Sequence, residues 1–323
     1  MMVEASSSAA RTLGFRLKAP SRLFVARLTI MLALAAIALA TPSFLSAPSL
    51  TTLLTTVSFI GCLAAAMTFI TIGGNIMSFA LGAAAAVSAM VFVVVLNAAG
   101  YAAGVAAALA TGAAITGLQG CLIGFLRANP IIVSIAASVL IYGVAQRVTS
   151  NETVHVSETL LQSLLKGKLL GAPVEFMIFL GVIALGQAVL SFTTFGRNLF
   201  YVGSGFRAAE AIGLPNIRTT ILAYVWAGLF AGITGILLAS RYNQANMEFA
   251  LRYDYDAIAA VLVGGTAIQG GSGSMLRTLV GVATVSTIQI VLLLHGFREE
   301  WRLFITGLIV MAVVILYSSR QRQ

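Results

Sequence analysis

Charge is the scarcest ingredient of this 323-residue chain. Only 9% of its residues are charged and 59% are hydrophobic, whereas about a quarter of an ordinary soluble domain is charged. From Leu28 to Leu126, 99 consecutive residues, there is no Asp, Glu, Lys or Arg. No water-soluble core needs such a run. A bilayer core about 30 Å thick takes roughly 20 apolar residues per helix, so this stretch alone holds about four spans. The chain reads as an all-α polytopic membrane protein with about ten transmembrane helices.

Other absences narrow the chemistry. The two cysteines, Cys62 and Cys121, both lie inside apolar runs, which excludes a disulfide framework. The two histidines, His155 and His295, stand alone, so no metal-ligand spacing exists. No HExxH, CxxC, GxSxG or GxxxxGK[ST] pattern occurs. The run GGTAIQGGSGS at Gly264–Ser274 is glycine-rich but lacks the lysine that reaches phosphates. The chain is therefore not expected to be an enzyme or to bind a cofactor itself. Ionisable groups at membrane depth usually mark proton or ion paths, and here the charges are expected at span ends. Uphill movement of a solute would then need energy from outside the bilayer.

What is present is a basic excess. Lys and Arg number 19 against 10 acids, a net charge of +9. Nucleic acid is one reading of that sign; the excess of Lys/Arg on cytoplasmic loops of membrane proteins is the better one. Ten spans are expected, at 24–41, 50–71, 76–96, 101–126, 130–146, 176–193, 219–240, 257–276, 279–294 and 303–317. The eighth carries Gly264, Gly265, Gly270, Gly271 and Gly273, and is open to a half-helix with extended backbone. With a cytoplasmic N-terminus, twelve Lys/Arg fall inside and seven outside, as the positive-inside rule requires. Residues 1–23 then form a basic cytoplasmic tail, 24–317 one transmembrane domain and 318–323 a cytoplasmic C-terminus. The tail and the run ending Ala38-Leu39-Ala40 have the layout of a secretory signal. A retained first span is preferred, because a membrane-bound chain follows at once.

Two loops stand out: an outer one at 147–175 and an inner one at 194–218. Small residues recur at Gly120-x-x-x-Gly124 and Gly228-x-x-x-Gly232, a spacing that suits close helix contact, within one subunit in preference to a dimer contact. Polar uncharged residues sit in or beside spans: Asn75, Asn97, Gln119, Asn129, Tyr142, Gln146 and Gln289. Inter-helix hydrogen bonds account for such groups. Alternatively Asn75, Gln119, Tyr142 and Gln146 line a path for a neutral, hydroxyl-rich solute. Within the inner loop, GSGFRAAEAIGLP reads as a short helix from Phe206 to Leu214. Phe206, Ala209 and Leu214 share a side, Gly213 ends it and Pro215 blocks its continuation. By these features alone it is equally a solvated loop helix or a docking helix.

Three segments carry a family resemblance. They are TTFGRNLFYVGSGFRAAEAIGL, AGLFAGITGILLASR and YDYDAIAAVLVGGTAIQGGSGS, in that order, with ITIGGNIMSFALG as a weaker fourth. The chain resembles the permease subunits of ribose-type ATP-binding-cassette importers, in the broader family that also holds branched-chain amino-acid permeases. It departs from the pattern at Ile76, near a usual aspartate, and at Arg277, in place of a usual glycine. The resemblance implies a ten-helix permease similar to the vitamin B12 importer type. It implies two permease copies, identical or paralogous, in a bacterial inner membrane. Separate cytoplasmic ATPase subunits would hold ATP and Mg, and a periplasmic binding protein would deliver a sugar or related polyol. Phe206, Arg207, Ala208, Ala209, Glu210, Ile212, Gly213, Leu214 and Pro215 would form the coupling helix that docks on the ATPase and drives alternating access. A branched-chain amino-acid or nucleoside permease is the alternative within the class, and an ion-coupled carrier the alternative outside it.

Overall fold

The computed structural model describes residue 36 and residues 38–150, 152–157, 167–169, 171–250 and 252–318. The basic tail, most of the first expected span and the segment 319–323 lie outside the described residues. Among the described residues from Ala47 onward the helices are α1 Ala47–Ile72, α2 Leu81–Ala99, α3 Tyr101–Leu126, α4 Pro130–Thr149, α5 Val174–Phe192, α6 Thr194–Ser204, α7 Phe206–Ala211, α8 Asn216–Tyr242, α9 Tyr253–Gly264, α10 Met275–Leu294 and α11 Glu299–Ser318. Seven of them (α1 to α5, α8 and α10) are long and apolar enough to cross a membrane. Two small ladders close one end, here the upper end: β1 Val154–His155 with β4 Gln244–Ala245, and β2 Lys168–Leu169 with β3 Ala172–Pro173.

α1 is the axis of the bundle. Its apolar residues run all round the helix, and such a helix belongs in a core. From Val57 to Ile72 every residue is buried. α5, α8, α9 and α10 all pack on it. Phe69 carries the packing in the middle, with ring contacts to Phe195, Trp226 and Phe230. Its start is set by Ser46, which accepts the Ser49 N–H, and by Pro48 in the first turn.

The two Gly-x-x-x-Gly pairs lie face to face on α3 and α8. Gly120 faces Tyr224 and Gly124 faces Ile217, while Gly228 meets Gly112 and Thr116, and Gly232 meets Ala108 and Leu109. Thr116 Oγ1 donates to the Tyr224 carbonyl at 2.7 Å across the same contact. The small residues therefore serve packing within one chain, as expected. α4 is the opposite case: Ser134 and Ala145 alone among its residues are buried.

Two expected spans need correction. The third was placed at 76–96, but the helix begins only at Leu81. Residues 73–80 are non-helical and double back along α1, so that the Ser78 N–H donates to Met67 Sδ at 3.4 Å. The eighth, placed at 257–276, is the 12-residue α9 followed by non-helical backbone to Ser274. Gly265, Gly270 and Gly271 there take positive φ, at 86°, 87° and 72°, a region other residues enter at a cost. Residues 194–218, read as a loop, are largely helical, forming α6, α7 and the first turn of α8. α4 and α5 likewise extend into both ends of the expected outer loop.

The α3–α8 contact yields a stability prediction. Gly228→Leu would drive a side chain into the Gly112 carbonyl and Thr116 Oγ1, and overpacking of this kind costs about 1–3 kcal/mol or more. Gly181 has no atom within 4 Å of an added Cβ, so Gly181→Ala is expected to be neutral or stabilising. Thermal melts of the detergent-solubilised variants, followed by tryptophan fluorescence, check the pair.

Candidate functional site

The stretch that drew attention in the sequence folds as a compact knuckle at the lower end of the bundle, where α3 stops and α8 begins. α7 is six residues long, Phe206–Ala211, shorter than the expected Phe206–Leu214. It ends in a Schellman turn. The Leu214 N–H donates to the Ala209 carbonyl and the Gly213 N–H to the Glu210 carbonyl, both at 3.0 Å. Gly213 supplies the left-handed residue, at φ 78°. Asn216 Nδ2 then donates to the Phe206 carbonyl at 2.9 Å and closes the knuckle across its base.

Each residue has a clear placement. Ala209 is buried, and Phe206 and Leu214 are half-buried, so all three point inward as expected. Arg207, Ala208, Glu210, Ile212, Gly213 and Pro215 are exposed. Ile212 is 71% exposed, a large apolar side chain presented at the tip of the knuckle. One partner was not anticipated. Arg127, at the end of α3, donates to Glu210 Oε1 at 2.7 Å, and its guanidinium lies 5.2 Å from the centroid of the Phe206 ring. It holds α7 against the α3–α4 connection.

The four path residues are spread over three elements. Asn75 lies in the non-helical link 73–80, is buried, and has no partner for Nδ2. Gln119 on α3 is buried with both amide atoms unpaired. Tyr142 on α4 donates to the Met247 carbonyl at 3.2 Å. Gln146, one turn on, is exposed. Among the described residues no hydrogen bond joins any two of the four. Tyr142 lies beside the descending segment 243–252. Near it, Thr149, Glu152, Asn246, Met247 and Glu248 line an open cleft at the upper end.

Three acids at span ends, in the first turns of α5 and α9, do not face water. Glu175, Asp254 and Asp256 are all buried. Each has a polar neighbour. Asp254 Oδ1 accepts the Gly82 N–H at 2.8 Å, and the Leu81 N–H also bonds to its carboxylate. α2 has no cap from its own chain neighbours, so Asp254 caps it from 172 residues away. Gly82 is required there because a Cβ would strike the Ala250 carbonyl and Asp254. Asp256 accepts from Gln289 Nε2 at 2.7 Å, and Glu175 faces Arg241 Nη1 at 3.6 Å. The remaining polar span residues are structural too. Asn97 ties α2 to the His155 carbonyl and the Ser157 N–H, and Asn129 caps α4.

A helical core with seven helices long and apolar enough to cross a membrane, a knuckle at one end and an interrupted segment within describes a polytopic membrane protein. The comparisons agree. The family model described as branched-chain amino acid transport system / permease component matches residues 49–314. The chain belongs to this family. Similar curated proteins include a probable ABC transporter permease of Escherichia coli, YphD, 36% identical over 54% of this chain and 52% of its own length. The L-arabinose ABC transporter permease AraH of Azospirillum brasilense is 28% identical over 90% of this chain and 85% of its own. The ribose import permease RbsC of Bacillus subtilis is 28% identical over 85% and 86% respectively. The chain thus spans about half the length of YphD and most of the other two. No solved structure matches. Its relatives are ribose-type ABC sugar permeases, transport components rather than enzymes.

The Asp254 cap makes a graded prediction. Asp254→Leu leaves two buried N–H groups unpaired, at about 1–3 kcal/mol, whereas Asp254→Asn keeps an acceptor. The leucine variant is expected to melt well below the asparagine variant. Equal melting temperatures would remove the cap from the account.

Proposed function

We propose that the chain is the membrane-spanning permease subunit of an ATP-driven importer for a sugar or related polyol. The α7 knuckle is the observation that carries this reading. It is short and closed at its base by Asn216. It presents Arg207, Ala208 and Ile212 outward at the end where the positive-inside count places the cytoplasm. Such a body fits a groove on a separate ATPase, which would bind ATP and Mg. A periplasmic binding protein would hand solute to the upper end, and a second permease copy would complete the pathway. The loosely packed α4, with Ser134, Ser138, Tyr142 and Gln146 at four-residue spacing, is the face we assign to that pathway, with Asn75 and Gln119 deeper in the chain. Alternating access then follows from movement of the knuckle. The setting is a bacterial inner membrane, with both termini cytoplasmic.

The family description favours a second reading, a branched-chain amino-acid substrate. Proteoliposomes holding the permease, its ATPase and its binding protein separate the two. Uptake of radiolabelled ribose or arabinose is expected, dependent on ATP, and unaffected by excess leucine. Uptake that persists without the ATPase would sink the importer reading. Leucine uptake in place of sugar would sink the solute class.

Glu210 serves the knuckle rather than the partner directly. Reversing it, Glu210→Arg, sets two cations together, and an exposed pair of this kind is worth about two- to fivefold. Co-purification with the ATPase is expected to fall by that order in Glu210→Arg and in Arg127→Glu. The double variant Arg127→Glu/Glu210→Arg is expected to recover it. Loss without recovery would place Glu210 in contact with the ATPase instead.

A further inference from the structure

Three stretches of backbone, two at helix ends and one irregular, meet at one point beneath α1. The first is the end of α1 and the link after it, Ile72 to Gly74. The second is the non-helical segment after α9, at Gly270 and Gly271. The third is the end of α6, at Gly203 and Ser204, immediately before the knuckle. The Gly271 N–H donates to the Ile72 carbonyl at 2.9 Å. A Cβ on Gly203 would overlap that same carbonyl and stand 2.6 Å from the Gly271 nitrogen. A Cβ on Gly74 would lie 3.2 Å from Gly203 Cα, and one on Gly270 would lie 2.5 Å from Gly74 Cα. Glycine is needed on every side of the crossing because backbone touches backbone.

We propose that this crossing is the joint through which movement of α7 reaches the interrupted segments of the membrane domain, with Gly203 as its positioning residue. The proposal rests on the transport reading above. Its physical basis is the kind of contact. Side chains absorb a small displacement by changing rotamer, but main chain packed on main chain cannot. Close-packed interiors transmit strain, so a shift at Gly203 passes to Ile72 and Gly271 with little loss. The Arg127–Glu210 pair is the contrasting link: both side chains are largely exposed, at 65% and 53%, and such a pair stretches.

What lies beyond the joint gives it reach. Ile72 ends the buried axis α1. The link from Gly73 leads to α2, whose first turn Asp254 at the head of α9 holds. Gly271 leads within three residues to Ser274, which accepts the Arg277 N–H and caps α10. Thr68 on α1 and Thr278 on α10 are hydrogen-bonded at 2.7 Å just above the crossing. Two interrupted helices and the root of the knuckle thus share one fixed point. Helices broken at membrane depth are where transporters of other folds hold and release solute.

The test uses the full complex with ATPase and binding protein, in a background with Cys62 and Cys121 replaced by alanine. In Gly203→Ala, ATP-driven uptake of ribose or arabinose is expected to fall by about tenfold, the order of a displaced coupling element, while ATPase co-purification is unchanged. Undiminished uptake in a folded Gly203→Ala protein overturns the joint. Because the added Cβ can also unfold the chain, a second arm pairs Ser204→Cys with Ser272→Cys, the residue after Gly271, against which Ser204 packs, joined by oxidation or by a short bis-thiosulfonate reagent. A joint that moves as one body is expected to accept this cross-link with uptake within about twofold of the reduced protein, below the coupling changes a broken link produces. Uptake that stops on cross-linking and returns on reduction shows the segments separating in the cycle and overturns the proposal, as does failure of the folded pair to cross-link. If the cysteine-free complex itself shows no ATP-dependent uptake, the transport reading has failed, which is a different result from loss confined to the variants.

Discussion

In hydrocarbon, a backbone N–H or carbonyl without a partner costs several kcal/mol, so chain that leaves a helix inside a membrane must find its partners in the protein. That constraint shapes this molecule more than any single apolar contact. α9 is only 12 residues long, and the links 73–80 and 265–274 are irregular. Their partners come from elsewhere in the fold: Gly271 bonds to Ile72 and the first turn of α2 to Asp254, both distant in sequence, while Ser78 reaches back eleven residues to Met67. The uniformly apolar α1 supplies the wall against which both links lie. Remove the links and the chain would be an ordinary helical bundle; remove their partners and it would not fold in a bilayer.

The coupling between these links and the knuckle follows from the same constraint. Backbone that must bond to backbone has to come close, and close approach selects glycine. Gly74, Gly203, Gly270 and Gly271 therefore gather at one point. The chain places its shortest exposed helix immediately after that point. A rigid interior contact and an exposed exterior helix are thus separated by two residues, which is the arrangement a mechanical input requires.

Much of this was legible in the residues. The helical class followed from the uncharged run, and the knuckle from Gly213 and Pro215, because stop signals are local. The internal role of the Gly-x-x-x-Gly pairs was legible as well. Other features were not, for a common reason. The true start of α2 at Leu81 depends on Asp254, a partner 172 residues away, and hydropathy ran unbroken through 76–80. The burial of Glu175, Asp254 and Asp256 was misread because acids flanking apolar runs ordinarily face water. Arg127 was counted only as a cytoplasmic charge, since nothing local announces an ion pair with Glu210. The glycines at 264–273 did mark broken helix, yet their meeting with Gly74 and Gly203 is a property of the packing.

Buried acids bear directly on the source of energy. The lack of acids within the spans argued against ion coupling, and three acids buried at helix starts bear on the same question. The answer lies in what they touch. A carboxylate that relays protons or holds a cation needs lone pairs facing a path. Asp254 is occupied by the N–H groups of Leu81 and Gly82, and releasing it would uncap α2. Asp256 is bonded to Gln289 and has Arg302 within electrostatic range. Glu175 faces Arg241 near the upper end. Glu175 has a cation beside it, Asp256 is held by the Gln289 amide, and Asp254 sits at a helix N-terminus, where a negative charge is favourable. These are the arrangements of charges that hold helices together rather than carry ions through them. The contacts of the three acids thus leave the proposed energy input where it was, at the compact exposed helix of the lower end.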